Sequence, residues 1–162
     1  MGISATPIRS LLFVPGNRED RMRKAAVYGA DAVVFDLEGS VPEASLPGAR
    51  QAVRGVVDGR AAARPRLFVR VGSVASGALA DDLRAVVHVN LDGVLLPQVH
   101  AVSDVVRADE MLTEAEQRAG VQQGRTILVP LVETAEAART AYEIARCSAP
   151  MCAMRAEQRA IS

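Results

Sequence analysis

Short apolar runs rich in valine and leucine recur along the chain, separated by stretches in which alanine, valine and leucine return every three or four positions among charged residues. Continuous apolar runs bounded by turn residues predict strands covered on both faces, here over residues 11–14, 32–37, 66–71, 93–96 and 126–131, with a short sixth run over 151–154. The helical period predicts helices over residues 18–28, 48–57, 80–87, 102–119 and 135–146. Breakers fall between them: Pro15-Gly16 ends the first strand, Asn17 is placed to cap the first helix, and Gly29 lies just past its end. Pro97 stops the fourth strand and Gly120 the fourth helix, while Ala49, Val53, Val56 and Val57 share one face of the second.

Strands alternating with helices imply parallel pairing through right-handed crossovers. The architecture is then an open doubly wound α/β sheet or a (β/α)8 TIM barrel. No glycine-rich dinucleotide fingerprint follows any strand, which weakens the first alternative. A full barrel takes about 250 residues. The 162 residues supply five to six βα units, so a barrel here is expected to be incomplete, a single domain over 1–162 with an atypical tail at 149–162.

Composition narrows this further. Hydrophobic residues make up 49% and aromatics 3%, with no Trp, so the core must be aliphatic, as in βα-repeat proteins. Nineteen basic residues balance nineteen acidic ones, and the arginines are scattered, which argues against nucleic-acid or membrane-surface binding through bulk charge. No run approaches the roughly 20 apolar residues that cross a bilayer, and the first ten residues lack an apolar signal core, so a cytosolic location is expected. Cys147 and Cys152 have no metal-spaced partners and read as reduced structural thiols. His88 is expected at a helix surface, and His100 in the loop after the fourth strand.

The chemistry-bearing residues collect at the strand C-termini. Asp36 and Glu38 close the second strand, Arg70 the third, Gln98 the fourth and Glu133 the fifth. In a parallel sheet these ends form the ligand-binding face. Asp36 and Glu38, two apart, share one face of an extended segment. Arg70 offers a planar fork suited to a substrate carboxylate. Glu133, with one further carboxylate, provides hard oxygen ligands for Mg²⁺, and a cation so held polarises carbonyls. Such a set suits making or breaking a carbon–carbon bond beside a carbonyl.

Several segments together give a resemblance: Arg9 through Gly16, Lys24-Ala25, Gly29 through Glu38, Val69-Arg70-Val71, Leu96-Pro97 and Val132-Glu133-Thr134. They resemble the citrate lyase β-subunit branch of the HpcH/HpaI aldolase family, over most of the chain. The resemblance implies a TIM barrel, Mg²⁺ dependence, and retro-Claisen cleavage of a 3-hydroxyacyl-CoA of the citryl-CoA or malyl-CoA type to a short acyl-CoA and an oxo acid; a homo-oligomer is expected beside it. Carried over, Arg70 binds the oxo-acid carboxylate and Glu133 is a metal ligand. Asp36 and Glu38 line the metal site through water, Lys24 lies near the CoA entrance, and Pro15 and Gly16 border the substrate.

The chain also departs from the family pattern. Gly39 stands where the family usually has Asp, Leu46 where it has Lys, Gly72 where it has Asn, Gln98 where it has Lys, and His100 where it has Glu. The Phe-Gly-x-x-Asp-Leu motif that carries the family's second metal Asp is absent, with Ala156-Glu157-Gln158 the nearest echo. Three readings therefore stand beside one another: a Mg²⁺-dependent carbon–carbon lyase, an impaired fragment or pseudoenzyme that binds an acyl-CoA or oxo acid or associates with full-length homologues, and an unrelated open α/β binding domain.

Overall fold

A computed structural model describes residues 7–61 and 65–147. Five strands, β1 (Leu11–Pro15), β2 (Ala32–Asp36), β3 (Arg66–Arg70), β4 (Gly93–Leu96) and β5 (Ile127–Pro130), pair in parallel in the order β1-β2-β3-β4-β5. A doubly wound sheet reverses its strand order at a switch point. This sheet keeps sequence order, and its helices pack on one face only, so it is the barrel alternative that is realised.

The helices are α1 (Glu19–Lys24), α2 (Leu46–Asp58), α3 (Leu79–Val86), α4 (Val102–Ala119), α5 (Ala135–Arg139) and α6 (Ala141–Arg146). Strand alternation sends Val33, Phe35, Val69, Val94, Leu96 and Leu128 outward into one core with α2 residues Ala49, Val53 and Val57 and α4 residues Val105, Ala108 and Leu112. Ala32, Val34, Phe68, Leu95 and Ile127 face the other way into a second cluster, joined there by Ile8. Gly93 makes that inner layer possible, because a Cβ there would stand 2.7 Å from the Phe68 ring and 2.6 Å from the Ile127 carbonyl oxygen.

The register sets the levels of the inner face. Pro15 pairs with Asp36, Asp36 with Arg70, Arg70 with Leu95 and Leu95 with Val129. The terminal side chains of successive strands therefore stand side by side.

Several boundaries differ from the sequence expectation. The first helix is only α1 followed by a 3-10 turn, Ala25–Tyr28, and it begins after Arg18 with no side-chain cap, so Asn17 does not cap it. Gly29 does end the segment, at φ 73°. The fifth helix breaks at Thr140, whose hydroxyl donates to the Glu136 carbonyl at 3.1 Å, a back-bond that bends helices. The sixth run, Cys152, the tail and Ala156-Glu157-Gln158 lie outside the described residues. Among the described residues no helix is long and apolar enough to cross a membrane.

His88 is half-buried rather than on the open surface. Its Nε2 lies 3.0 Å from Asp58 and its Nδ1 accepts from the Asn90 amide, which ties α2 to the loop before β4. Cys147 is half-buried and donates to the Ile144 carbonyl at 3.1 Å, and burial pushes its thiol up.

Two carboxylates hold the frame. Asp82, fully buried on α3, accepts from Arg50 Nε of α2 at 2.7 Å and from the Gly72 amide at 2.6 Å, so it joins two helices to the loop after β3. Burial pushes its carboxyl up, opposed by those hydrogen bonds. Asp31, before β2, accepts from the side chain and backbone amide of Arg9, which hold its carboxyl down at about 2, and from Ser10.

Replacing Asp82 with Ala leaves Arg50 and the Gly72 amide unpaired and should cost about 2–4 kcal/mol. Urea titration should show a lower midpoint at unchanged slope, while the exposed neighbour Asp81→Ala stays within about 0.5 kcal/mol of wild type. The Asp31 carboxyl is lower in the folded chain than its unfolded value of about 3.9. Its contribution to stability is therefore complete above that value and disappears as pH falls towards 2. Carboxyl NMR titration should find that midpoint near 2, and Arg9→Ala should return it towards about 3.9.

Candidate functional site

Both ends of the strand-end cluster are anchored by backbone. The Gly16 amide donates to the Asp36 carbonyl at 2.8 Å, and the Leu37 amide to the Arg70 carbonyl at 2.9 Å, so pairing of β1, β2 and β3 continues up to the rim. A Cβ at Gly16 would stand 2.9 Å from that carbonyl oxygen, and the approach requires glycine. At the far side Thr134 caps α5: its hydroxyl accepts from the Ala137 amide at 3.0 Å and donates to the Val99 carbonyl at 3.2 Å. That fixes the turn carrying Glu133.

Between these anchors the side chains form one continuous chain of contacts. Arg70 meets Asp36 with its fork, Nε to Oδ1 at 2.7 Å and Nη2 to Oδ2 at 2.8 Å. Its Nη1 lies 3.4 Å from Glu38 Oε2. Glu38 Oε1 accepts from the Gln98 side-chain amide at 2.9 Å, and the Gln98 backbone amide donates to Glu133 Oε1 at 2.7 Å. Thus Asp36, Arg70, Glu38, Gln98 and Glu133, which come from four different strand ends, are brought together.

Asp36 is 3% exposed. Burial disfavours its charge, yet hydrogen bonds from Arg70, Ser40 and the Glu38 amide hold its carboxyl below the ordinary range. The hydrogen bond to Asp36 raises the Arg70 guanidinium further, with Glu38 and Glu133 acting in the same direction. Arg70 therefore stays charged, as does its partner. The loop after β2 leaves room for this pairing at Gly39, where a Cβ would stand 2.8 Å from Arg70 Nη2.

A cavity of about 450 Å³ opens here, lined by Phe13, Val14, Pro15, Asp36, Ser40 and Arg70. Of the expected site residues, Pro15 borders it, while Gly16 serves the backbone junction with Asp36. Lys24 is exposed in the last turn of α1, in the outer helical layer. His100 is exposed beside the mouth, with Nδ1 3.9 Å from Glu136.

Two neighbours of Arg70 escaped the sequence reading. Phe13 is 48% exposed with its ring centroid 5.4 Å from the guanidinium carbon, a cation–π contact, and Ser40 hydrogen-bonds Asp36. Phe13 was findable by alternation, since residues 11, 13 and 15 share a face of β1. Ser40 sits in a loop and gives no local signal.

The donor set can be tested against a hard divalent cation. One guanidinium faces three carboxylates, so the cluster carries excess negative charge. Asp36 turns both oxygens to Arg70, whereas Glu38 and Glu133 meet at Gln98 and each presents oxygen donors. Mg²⁺ is commonly held by one or two carboxylates while keeping several waters. Among the described residues no three His, Cys, Asp or Glu side chains cluster as a metal cage. The pair Glu38 and Glu133 fits the sparser kind of site.

Comparisons with known proteins bear on the family and the fold. A family model described as HpcH/HpaI aldolase/citrate lyase matches residues 9–156. The citrate lyase subunit beta of Leuconostoc mesenteroides subsp. cremoris is 30% identical over 140 residues, 86% of this chain and 46% of that protein. A (3S)-malyl-CoA thioesterase of Cereibacter sphaeroides is 31% identical over 114 residues, covering 70% of this chain and 40% of the relative. Among solved structures, a citrate lyase beta subunit from M. tuberculosis complexed with oxaloacetate and magnesium superposes with a TM-score of 0.67 at 30% identity, covering 90% of this chain and 56% of that one. The chain spans about half the length of the curated relatives it matches.

Removing Arg70 strands a nearly buried Asp36 carboxylate. Arg70→Ala should cost about 1–3 kcal/mol in urea unfolding, below the range for fully buried pairs because the mouth is open to water. It should also raise the Asp36 carboxyl midpoint in an NMR titration, and Arg70→Lys should recover only part of both effects, because an ammonium cannot reproduce the fork.

Proposed function

The chain belongs to the HpcH/HpaI aldolase/citrate lyase family, and from that premise we propose that it carries the oxo-acid and metal-binding mouth of a Mg²⁺-dependent carbon–carbon lyase. The substrate is a 3-hydroxyacyl-CoA of the citryl-CoA or malyl-CoA type, cleaved in the retro-Claisen sense to a short acyl-CoA and an oxo acid. One observation carries the reading: a single run of contacts links Arg70 through Glu38 and Gln98 to Glu133 on one rim of a parallel sheet.

Each residue then has a distinct task. Asp36 grips the Nε and Nη2 side of Arg70 and aims it. The end of the guanidinium formed by Nη1 and Nη2, where Glu38 Oε2 stands 3.4 Å from Nη1, is the edge that would receive the oxo-acid carboxylate, a planar fork meeting a planar anion. Phe13 lies under the guanidinium and narrows its freedom. Glu133 would hold the cation through carboxylate oxygen, joined by Glu38 in place of the water-mediated role that the resemblance implies. When bound, Mg²⁺ supplies a Lewis acid that polarises the substrate carbonyl and offsets the negative charge that develops as the carbon–carbon bond breaks. Pro15, which lines the cavity, walls the substrate. The protein acts in the cytosol as a homo-oligomer.

A second reading has one observation in its favour. Gly39 and Gln98 stand where the family usually has Asp and Lys, and a chain of this kind binds an acyl-CoA or oxo acid without cleaving it.

Cleavage of citryl-CoA and malyl-CoA with Mg²⁺ separates the two. Glu133→Gln should lower kcat/KM by about a hundredfold or more, the scale of a lost metal ligand. Arg70→Ala should lower it comparably. Turnover surviving both substitutions places the chemistry elsewhere, and ligand binding without turnover selects the binding reading.

A further inference from the structure

Gln98 differs from every other described non-glycine residue in its backbone. It is the one non-glycine residue among them with positive φ, at 51°. Left-handed geometry is disfavoured for side chains other than those of Asn, Asp and His, and it persists where the surroundings over-determine it. Here the over-determination is visible. The backbone amide is directed at Glu133 Oε1, 2.7 Å away, and the side-chain amide at Glu38 Oε1, 2.9 Å away. A residue with the usual negative φ would turn its amide to a different side. The two acids are 95 positions apart in the chain, at residues 38 and 133, and one residue touches both.

We propose that Gln98 is a positioning residue: a two-point clamp that sets Glu38 and Glu133 beside each other as a pair of hard oxygen donors, so that cation affinity depends on it. This rests on the magnesium reading of the site and adds to it the group that assembles the donors. A neutral amide suits the task. It donates to each carboxylate while leaving both charges in place; Glu133 keeps a second oxygen beyond the one Gln98 engages, and the second oxygen of Glu38 stands 3.4 Å from Arg70 Nη1. The backbone half of the clamp needs only the left-handed turn. The side-chain half needs an amide of this length. The two halves can therefore be separated by substitution.

The test has a metal-free arm and a metal arm. In ¹H–¹⁵N spectra of the metal-free protein, Glu38→Ala should move the Gln98 side-chain amide, and Glu133→Ala its backbone amide. If neither moves, the clamp does not exist. In calorimetry with Mg²⁺ alone, Gln98→Gly keeps the turn without strain, and Gln98→Met keeps the bulk without the donor. Both should weaken binding about tenfold, the scale on which residues behind metal ligands act. Gln98→Gly should do so at equal or higher Tm. Unchanged Mg²⁺ affinity in both variants overturns the proposal, and so does a loss that tracks a falling Tm in each. A wild-type chain that shows both amide responses and no Mg²⁺ binding overturns the magnesium reading instead, and leaves Gln98 as the clamp on its two acids.

Discussion

A carboxylate that is almost wholly removed from water must be paired, and at the end of β2 that requirement organises the mouth. Asp36 is held by Arg70 one strand away, and the parallel register that places residue 36 opposite residue 70 is what makes the pairing possible. The strength of the pair comes from geometry: two short parallel hydrogen bonds, a serine hydroxyl and a backbone amide converge on one carboxylate. Once Arg70 is fixed, the position of its other edge is fixed too, and Glu38 stands against it.

The rest of the sheet serves that placement. An inner layer built on Phe68 over Gly93 supports the level at which Asp36 and Arg70 stand. Outside, the Asp82 clip with Arg50 binds α2 and α3 to the loop that follows β3, and so ties down the segment after Arg70. At β5 the Thr134 cap does the same for Glu133. Glu116 of α4, buried, accepts from the Gly124 and Thr126 amides at 2.7 Å each and brings the chain into β5 at the right height.

Much of this was legible in the chain. The fourth strand and the long fourth helix fall where their apolar runs and breakers place them, and Gly29 and Gly120 end their segments with positive φ. The strand-end positions of Asp36, Glu38, Arg70, Gln98 and Glu133 were visible too, because a run of buried residues must stop where polar ones begin. The failures are local competitions. Asn17 loses its expected cap because the helix starts one residue later than the motif suggests. Thr140 interrupts a stretch whose alanine content reads as unbroken helix. His88 lies at a helix end by sequence, and only the fold brings Asp58 to it.

Sequence by itself determined the element order, the parallel character of the sheet, the aliphatic core and the end of the sheet at which the charged side chains gather. These follow from period, breakers and composition, which act over a few residues. Tertiary structure decided which acid belongs to which partner. Asp36 pairs with Arg70, Phe13 lies against the guanidinium, and Gln98 adopts a left-handed backbone to reach two acids at once. Such pairings depend on strand register and on turns that bring residues dozens of positions apart within 3 Å, and no local pattern of side chains encodes a distance of that kind.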